Sequence, residues 1–537
     1  MNGFENILSD LLVHSPALIV AIPLLGAFLT PLFGKVHNTA RNTFVLIIVL
    51  LTSFFSFLLI HDVLVNGNIH SYVFGGGSAL TSGGFAIRVI FQVDGLNAFM
   101  AIIATLFAIV GVIYSWSFMK EHTGLSKYYS LYLLVIAGIF GMVLTGDMFN
   151  FFVFLEITSI ASCALIAFYT NKGKAVDAGF KYIVVSATGA LFILFAIAIL
   201  YGQYNALNIA VLASNIQFSF LDKIALVLLI SGLAMKAGIV PMHMWLPDAY
   251  GRAPSSVTIL LIVATQASLY GALRMIFTLF GGQLSRTVNE IGGIDINMNL
   301  LIGATLVGLA ILTIFVGVLM ALKETDFKRM IGFAAVAEIG YMILAIGAAL
   351  TIMFSVDDIE TSRLALNGGV FHIFNDALDV GLLFLVAGAV YYATKETSLN
   401  RLGGLARNMK YTTVFFLIGL LAVAGMPPMN GFSSKLIIYE STFLVNPILS
   451  IIAILCSILL LAVFVKVFYS AFLGPKQSKY EDVKEAPKSM LVAMAIVAGI
   501  ILFIGLFPDI FINNVVEPAT RALVNSGEYI QYIMGAI

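Results

Sequence analysis

Runs of about twenty apolar residues recur along this chain from end to end, and no other feature limits its fold so tightly. A helix needs roughly 20 apolar residues to cross the hydrocarbon core of a bilayer. Inside that core every backbone N–H and C=O must be satisfied internally, so such runs form helices. Fourteen runs qualify, near residues 15–34, 42–65, 93–116, 128–146, 149–170, 180–203, 222–243, 255–280, 298–322, 329–352, 364–393, 411–446, 447–473 and 488–512. Of the 537 residues only 10% are charged, against roughly 25% in a soluble protein. The expected fold class is an all-α polytopic membrane protein. The first run, Pro16 to Phe33, is long enough to stay as a span rather than serve as a cleaved signal.

Lysine and arginine decide orientation. Loops after odd-numbered runs hold nineteen of the 28 such residues; loops after even-numbered runs and the tail hold five, and four lie inside runs. This split places the odd loops in the cytoplasm and both termini outside. Residues 66–90, with Gly75-Gly76-Gly77 and Gly83-Gly84, read as a turn-rich outer loop with room for a short hairpin. The tail after 512 reads as an interfacial amphipathic helix. The net charge is zero, which gives no case for a nucleic-acid partner. Cys163 and Cys456 sit in apolar runs without a CxxC or Cys/His cluster. An iron–sulfur cluster, haem or structural zinc is therefore not expected in this chain.

Two lysines stand beside prolines inside apolar runs: Lys236 in LISGLAMKAGIVPMHMWLPDAY and Lys435 in LLAVAGMPPMNGFSSKLIIYES. An ionisable residue at membrane depth is costly and is a functional candidate by default. A proline in the same helix frees backbone groups that protein or water must satisfy. The pairing occurs twice, which suggests two broken helices in two related halves, as in ion transporters. Further ionisable groups accompany them: Glu156, Glu338, and the trio His372, Asp376 and Asp379. On a helix that trio falls at i, i+4 and i+7 and shares one face. Glu440 follows Lys435 in the same run. Such groups, linked by water, are the materials of a proton path. Moving a carboxylate, or its proton, relative to a desolvated lysine can load or unload that lysine. A single buried Glu–Lys pair could be structural, with modest net stabilisation; a set recurring in both halves points to transport. Lys181, His243, Gln266 and Lys466 are accessory candidates. Lys466 and Arg274 could each snorkel to an interface, and His243, after Pro241, either lines a water entrance or sits at the interface.

Four stretches carry a resemblance: KAGIVPMHMWLPDAYGRAPSSVTILL (236–261), DMFNFFVFLEITSIAS (147–162), LKETDFKRMIGFAAVAEIGYM (322–342) and GMPPMNGFSSKLIIYE (425–440). Together they resemble the signatures of proton-pumping antiporter-like subunits of respiratory complex I, Mrp-type cation/proton antiporters and membrane-bound hydrogenases. The resemblance covers roughly residues 90–475. It implies fourteen helices with two inverted five-helix repeats, spans 4–8 and 9–13, and broken helices 7 and 12. The corresponding division is an N-terminal three-helix segment with outer loop (1–127), a first repeat (128–281), a second repeat (298–474) and a C-terminal span and tail (488–537). It also implies a prokaryotic cell membrane, similar subunits as neighbours, lipid, and H⁺ with Na⁺ as cargo. Iron–sulfur or metal centres are expected only in partner subunits. By resemblance, Glu156 and Lys236 match the paired Glu and Lys of the first half. Lys435 matches the ionisable residue of the broken twelfth helix, and His372 the histidine opening the eleventh-span motif.

Departures from the pattern matter equally. Relatives carry a basic residue in the eighth span where this chain offers Gln266. Their eleventh span reads His-x-x-Asn-His-x-x-Phe-Lys, whereas here Asp376, Asp379 and Val380 follow Asn375. Glu338 stands where relatives have a neutral or basic polar group. The centre is thus rewired toward carboxylates. Either the path runs through Glu338, Asp376 and Asp379, or it is interrupted at Gln266. Carboxylates also suit Na⁺, since hard cations prefer oxygen ligands, which makes Asp376 and Asp379, with Thr265 nearby, a transient Na⁺ position. The expected roles are Glu156–Lys236 as first switch, Glu338, His372, Asp376 and Asp379 as central relay, and Lys435 with Glu440 as outlet or second switch. The rival reading is a non-conducting structural subunit. A quinone-reducing enzyme is disfavoured, since no redox centre or Gly-rich nucleotide loop is visible. The glycine-rich loop and QVDGLNAFM (92–100) look closer to Mrp and hydrogenase relatives. The acidic centre points to an archaeal hydrogenase or sulfur-reductase assembly.

Overall fold

The computed structural model describes residues 2–74, 89–284, 288–291, 294–355, 359–475 and 477–536. Helices α1 (Asn2–Val36) and α2 (Asn38–Val65) lead into an antiparallel hairpin of β1 (His70–Val73) and β2 (Ile90–Val93), with His70 opposite Val93. The glycine runs expected in this loop lie outside the described residues. Next come α3 (Gly95–Phe118), α4 (Leu125–Leu144), α5 (Met148–Ile166), α6 (Gly173–Tyr204) and the short α7 (Ile209–Asn215). The following segment is broken into α8 (Phe220–Ala237) and α9 (Trp245–Arg252). Helix α10 (Ser255–Leu273) continues as a π turn to Leu279, followed by α11 (Gly281–Leu284) and a hairpin of β3 (Val288–Ile291) and β4 (Ile294–Asn297). Helices α12 (Met298–Lys323), α13 (Phe327–Ser355) and α14 (Ile359–Thr394) precede a second broken segment, α15 (Lys410–Val423) and α16 (Asn430–Val445). The chain closes with α17 (Pro447–Val467), α18 (Lys488–Leu506), α19 (Pro508–Phe511), α20 (Glu517–Val524) and α21 (Ser526–Ala536).

Among the described residues, twelve helices are long and apolar enough to cross a membrane. The broken segments are shorter, because each stops at a glycine. Gly238 (φ +76°) ends α8 and Gly425 (φ +67°) follows α15, left-handed conformations that glycine adopts without steric cost. The freed backbone groups find side-chain partners, as a non-aqueous surrounding demands. The Val240 N–H donates to Thr313 Oγ1 at 3.3 Å, and Trp245 Nε1 donates to the Met235 carbonyl at 3.1 Å. At the second break Ser457 Oγ donates to the Ala424 carbonyl at 3.2 Å.

Burial is uneven, and it positions the site. The apolar windows of α13 and α14 are 100% enclosed by the rest of the protein, whereas those of α6 and α17 are 39% enclosed. The outer helices therefore meet lipid or partners, and the inner two meet only this chain. Close approach of α12 to α13 needs small residues at the crossing. A Cβ on Gly340 would lie 2.6 Å from Ile314, and one on Gly317 2.6 Å from the Ala337 nitrogen.

The tail after 512 is helical, and α20 and α21 lay one face on the rest of the protein while Arg521, Glu528 and Gln531 stay exposed on the other. Thr520 Oγ1 donates to Asn367 Oδ1 at 2.5 Å, and the buried Tyr529 hydroxyl bonds the Gln92 side chain. Thr520 and Tyr529 thus anchor the tail to the interior.

Candidate functional site

The two most enclosed helices carry a cluster of buried ionisable groups. Glu338 of α13 projects between Lys435 of α16 and His372 of α14. Lys435 Nζ lies 2.8 Å from Glu338 Oε1, and His372 Nε2 lies 2.9 Å from Glu338 Oε2, with all three side chains at most 2% exposed. The His372 contact is close but off the line of a hydrogen bond. Lys435 also donates to the Val423 carbonyl at 2.8 Å, an orphan acceptor left at the end of α15 by the break. Its ammonium stands 4.5 Å from the centre of the Tyr341 ring, a cation–π geometry. On the other ring nitrogen, His372 Nδ1 is 3.1 Å from Ser434 Oγ. Asn375 and Asn430 bridge the same helices, each amide donating at 3.0 Å to the other residue.

Asp376 and Asp379 lie on the same face of α14 and are buried. Gln266 Nε2 of α10 donates to Asp376 Oδ2 at 3.0 Å. Among the described residues, one oxygen of each aspartate, Oδ1, has no hydrogen-bond partner. Gln266 is therefore an amide hand-hold on the acidic centre.

The first-half pair is built differently. Lys236, in the last turn of α8, is buried and donates to Ser159 Oγ and Ser186 Oγ, both at 2.6 Å. Glu156 Oε1 is 3.3 Å away, and its side chain is 28% exposed. A cavity of ≈ 20 Å³ beside Lys236 is lined by Ser159, Thr265 and Ser268 among others, which is room for one water. Thr265 is in turn 2.7 Å from the Tyr250 hydroxyl. The cavity wall mixes these hydroxyls with apolar Met142, Leu155, Leu261 and Ala264.

Other candidates fall elsewhere. Glu440 lies on the exposed face of α16, five residues past Lys435, and Lys435 pairs with Glu338 in its place. Lys181 is exposed and pairs with Asp177 and Asp248, both at 2.9 Å, contacts worth little in themselves. His243 is buried in the first break, with Nδ1 3.3 Å from the Pro241 carbonyl. Lys466 is exposed and donates to the Leu322 carbonyl at 3.1 Å. Arg274 does not snorkel: it is buried, both amino nitrogens meet Asp94 at 2.7 Å, and Tyr529 covers it. Near that end Asp147 caps α5, accepting the Asn150 N–H at 2.7 Å. Burial pushes its carboxyl up to about 6, partly opposed by the cap hydrogen bonds.

Residues 145–461, more than half of the chain, match the transmembrane family described as NADH:quinone oxidoreductase/Mrp antiporter. The chain belongs to that family. Residues 80–129 match the family described as the N-terminus of complex I chain 5. An NADH-quinone oxidoreductase subunit of Desulforudis audaxviator is 29% identical over 94% of this chain and 98% of its own length. A Na⁺/H⁺ antiporter subunit of Alkalihalophilus pseudofirmus is 28% identical over 92% of this chain and 93% of its own length. The solved structure of the membrane-bound sulfane sulfur reductase, an archaeal respiratory membrane complex, holds a chain with TM-score 0.83 and 26% identity, covering 96% of this chain and 99% of that one. In this antiporter-family chain the seryl partners of Lys236 do not stand out from sequence. The one signal for Ser159 is its place three residues after Glu156, on the same helix face.

Proposed function

We propose that this chain is an ion-translocating, antiporter-like membrane subunit of a multisubunit energy-converting complex in a prokaryotic cell membrane, carrying protons and exchanging them for Na⁺. The observation that carries this reading is a charge imbalance. Three carboxylates, Glu338, Asp376 and Asp379, share the enclosed centre with one lysine and one histidine. Unpaired buried charge is strongly disfavoured. The excess carboxylates therefore need mobile counter-cations, and protons or Na⁺ are what such a subunit would move. Na⁺ would sit by the free oxygens of Asp376 and Asp379.

Glu338 is the hinge of the proposed relay, since each of its oxygens serves one basic group. When His372 takes up a proton, it draws on the charge that holds Lys435. Two unit charges at 4 Å interact by about 4 kcal/mol at an effective dielectric of 20, enough to release or recapture a proton on Lys435. Glu156–Lys236 is proposed as the first switch, reporting to the centre through the Thr265–Tyr250 hydroxyls and Gln266. In this reading residues 128–281 and 298–474 are two inverted repeats within fourteen spans, with both termini outside. The relatives named above support the assembly and the ions.

The test is ion-coupled transport by the reconstituted whole complex, comparing wild type with Lys236→Ala and Asp376→Asn after normal assembly is shown. Loss of H⁺ or Na⁺ movement in both supports the relay. Transport that survives both changes makes the chain a structural subunit and sends the ion route to a neighbour.

A further inference from the structure

A cavity of ≈ 270 Å³ opens at the opposite end of the helices from the β1–β2 hairpin, where the start of α6, the α9–α10 junction and the start of α13 meet the end of α14. Its wall is basic: Lys172, Lys174, Arg252 and Lys328 all line it. Arg252 pairs with Asp326 at 2.9 Å. Lys328 is buried and donates to the Ala253 carbonyl at 2.5 Å. Lys172 donates to the Tyr391 hydroxyl at 2.7 Å and stands over the Tyr169 and Tyr391 rings. Among the described residues, none of the three lysines forms an ion pair with a carboxylate. The hollow is therefore lined by three lysines with no carboxylate in ion-pair contact, Asp326 being engaged by Arg252.

Two further features point inward. Ser255 lines the cavity, is fully buried, and among the described residues its hydroxyl has no hydrogen-bond partner. It is also the first residue of α10, whose N-terminus has no side-chain cap. Free amides at a helix start, with the macrodipole, favour an anion. Lys172 and Lys174 are exposed at the rim, and Lys328 lies at the floor. Basic hollows between membrane helices on the cytoplasmic side recognise anionic head groups, and the volume is near the lower end of the roughly 300 Å³ of ligand pockets.

We infer that this cavity binds a phosphate group, either the phosphodiester of an anionic phospholipid headgroup or free phosphate, held by Lys172, Lys174 and Lys328 and by the Ser255 hydroxyl. The site is separate from the buried relay, because none of the relay residues lines it. Its ligand would tie the start of α6 to the start of α13, clamping the two halves of the chain together at that end.

The test uses the intact complex in two membranes, phosphatidylcholine alone and phosphatidylcholine with phosphatidylglycerol. Acetylation of Lys172 and Lys174 by a lysine-reactive reagent is read by peptide mass spectrometry, with and without inorganic phosphate. Protection by phosphatidylglycerol without added phosphate identifies a lipid headgroup. Protection by inorganic phosphate in phosphatidylcholine identifies a soluble anion. Ser255→Ala, which leaves the surface charge intact, should raise the ligand concentration needed for protection by about tenfold. A Lys172→Gln/Lys174→Gln double variant should weaken lipid retention, read by native mass spectrometry, by on the order of 25-fold, about fivefold per lysine. Equal acetylation under all conditions, or unchanged protection in Ser255→Ala together with unchanged lipid retention in the double variant, overturns the assignment.

Discussion

Replacing Glu338 by glutamine tests the centre most directly. Glutamine keeps the length of the side chain but removes the charge that faces Lys435 at 2.8 Å and His372 at 2.9 Å. Removing one partner of a buried ion pair costs about 3–5 kcal/mol, because the other charge is left uncompensated. The Val423 carbonyl and the Tyr341 ring hold Lys435 in both proteins, so they do not offset that loss. Taking the lower figure, any step that needs a charged Lys435 becomes roughly 100-fold rarer. Transport by Glu338→Gln should fall to about 1% of wild type on that scale, and Glu338→Asp, which keeps the charge on a shorter arm, should retain an intermediate rate. The assay is the initial rate of dye-reported proton uptake into vesicles holding the reconstituted complex, normalised to assembled complex. If Glu338→Gln assembles and transports within about twofold of wild type, the cluster is structural and the relay reasoning is wrong.

Lys236→Ala should abolish transport while disturbing assembly less than Glu338→Gln, because Glu156 is already partly exposed and is not left buried alone; the comparison is the yield of intact complex on a native gel. Arg274→Met should destabilise by about 3–5 kcal/mol, since Asp94 loses its bidentate partner in a buried site, and Tyr529→Phe should only loosen α21, seen as faster limited proteolysis of the tail. Asp147→Asn should change the pH profile of apparent Tm. The folded carboxyl sits at about 6, above its ordinary 3.8, so wild-type stability is full below pH 4 and falls as pH rises through 6. Asparagine still caps the helix without titrating, so this variant should lack that fall and be more stable at pH 7 by on the order of 3 kcal/mol. Gly431→Ala should impair assembly, because its Cβ would collide with the Ala422 carbonyl across the second break; equal yield would show that the two half-helices can separate.

Much of the site is legible in the sequence because expensive residues stand out in apolar runs. Lys236, Lys435, Glu156 and the face of His372, Asp376 and Asp379 need only composition and the helical period. Partner choice across long separations is what sequence does not reveal. Glu440 is near Lys435 in sequence but five residues on, which turns it to the other side of the helix; the actual partner, Glu338, is 97 residues away. Arg274 reads as an interfacial cation because its mate Asp94 lies 180 residues off, inside the QVDGLNAFM stretch. Gln266 reads as a gap in a basic row, and only coordinates show its amide on Asp376. The serines around Lys236 are invisible for a different reason: small hydroxyl residues are common in such helices, and nothing local separates a ligand from a filler. The twelve helices long enough to span are readable from apolar length alone, whereas the docking of the tail depends on contacts that no local pattern encodes.

Glu156 stands at the edge of the molecule. Its carboxylate is partly uncovered two turns into α5, at a depth where hydrocarbon cannot solvate it. A lone copy of this chain is therefore chemically unfinished, with a charged spot that lipid tails reject. Something else must complete that face, a neighbouring polypeptide or a thread of water.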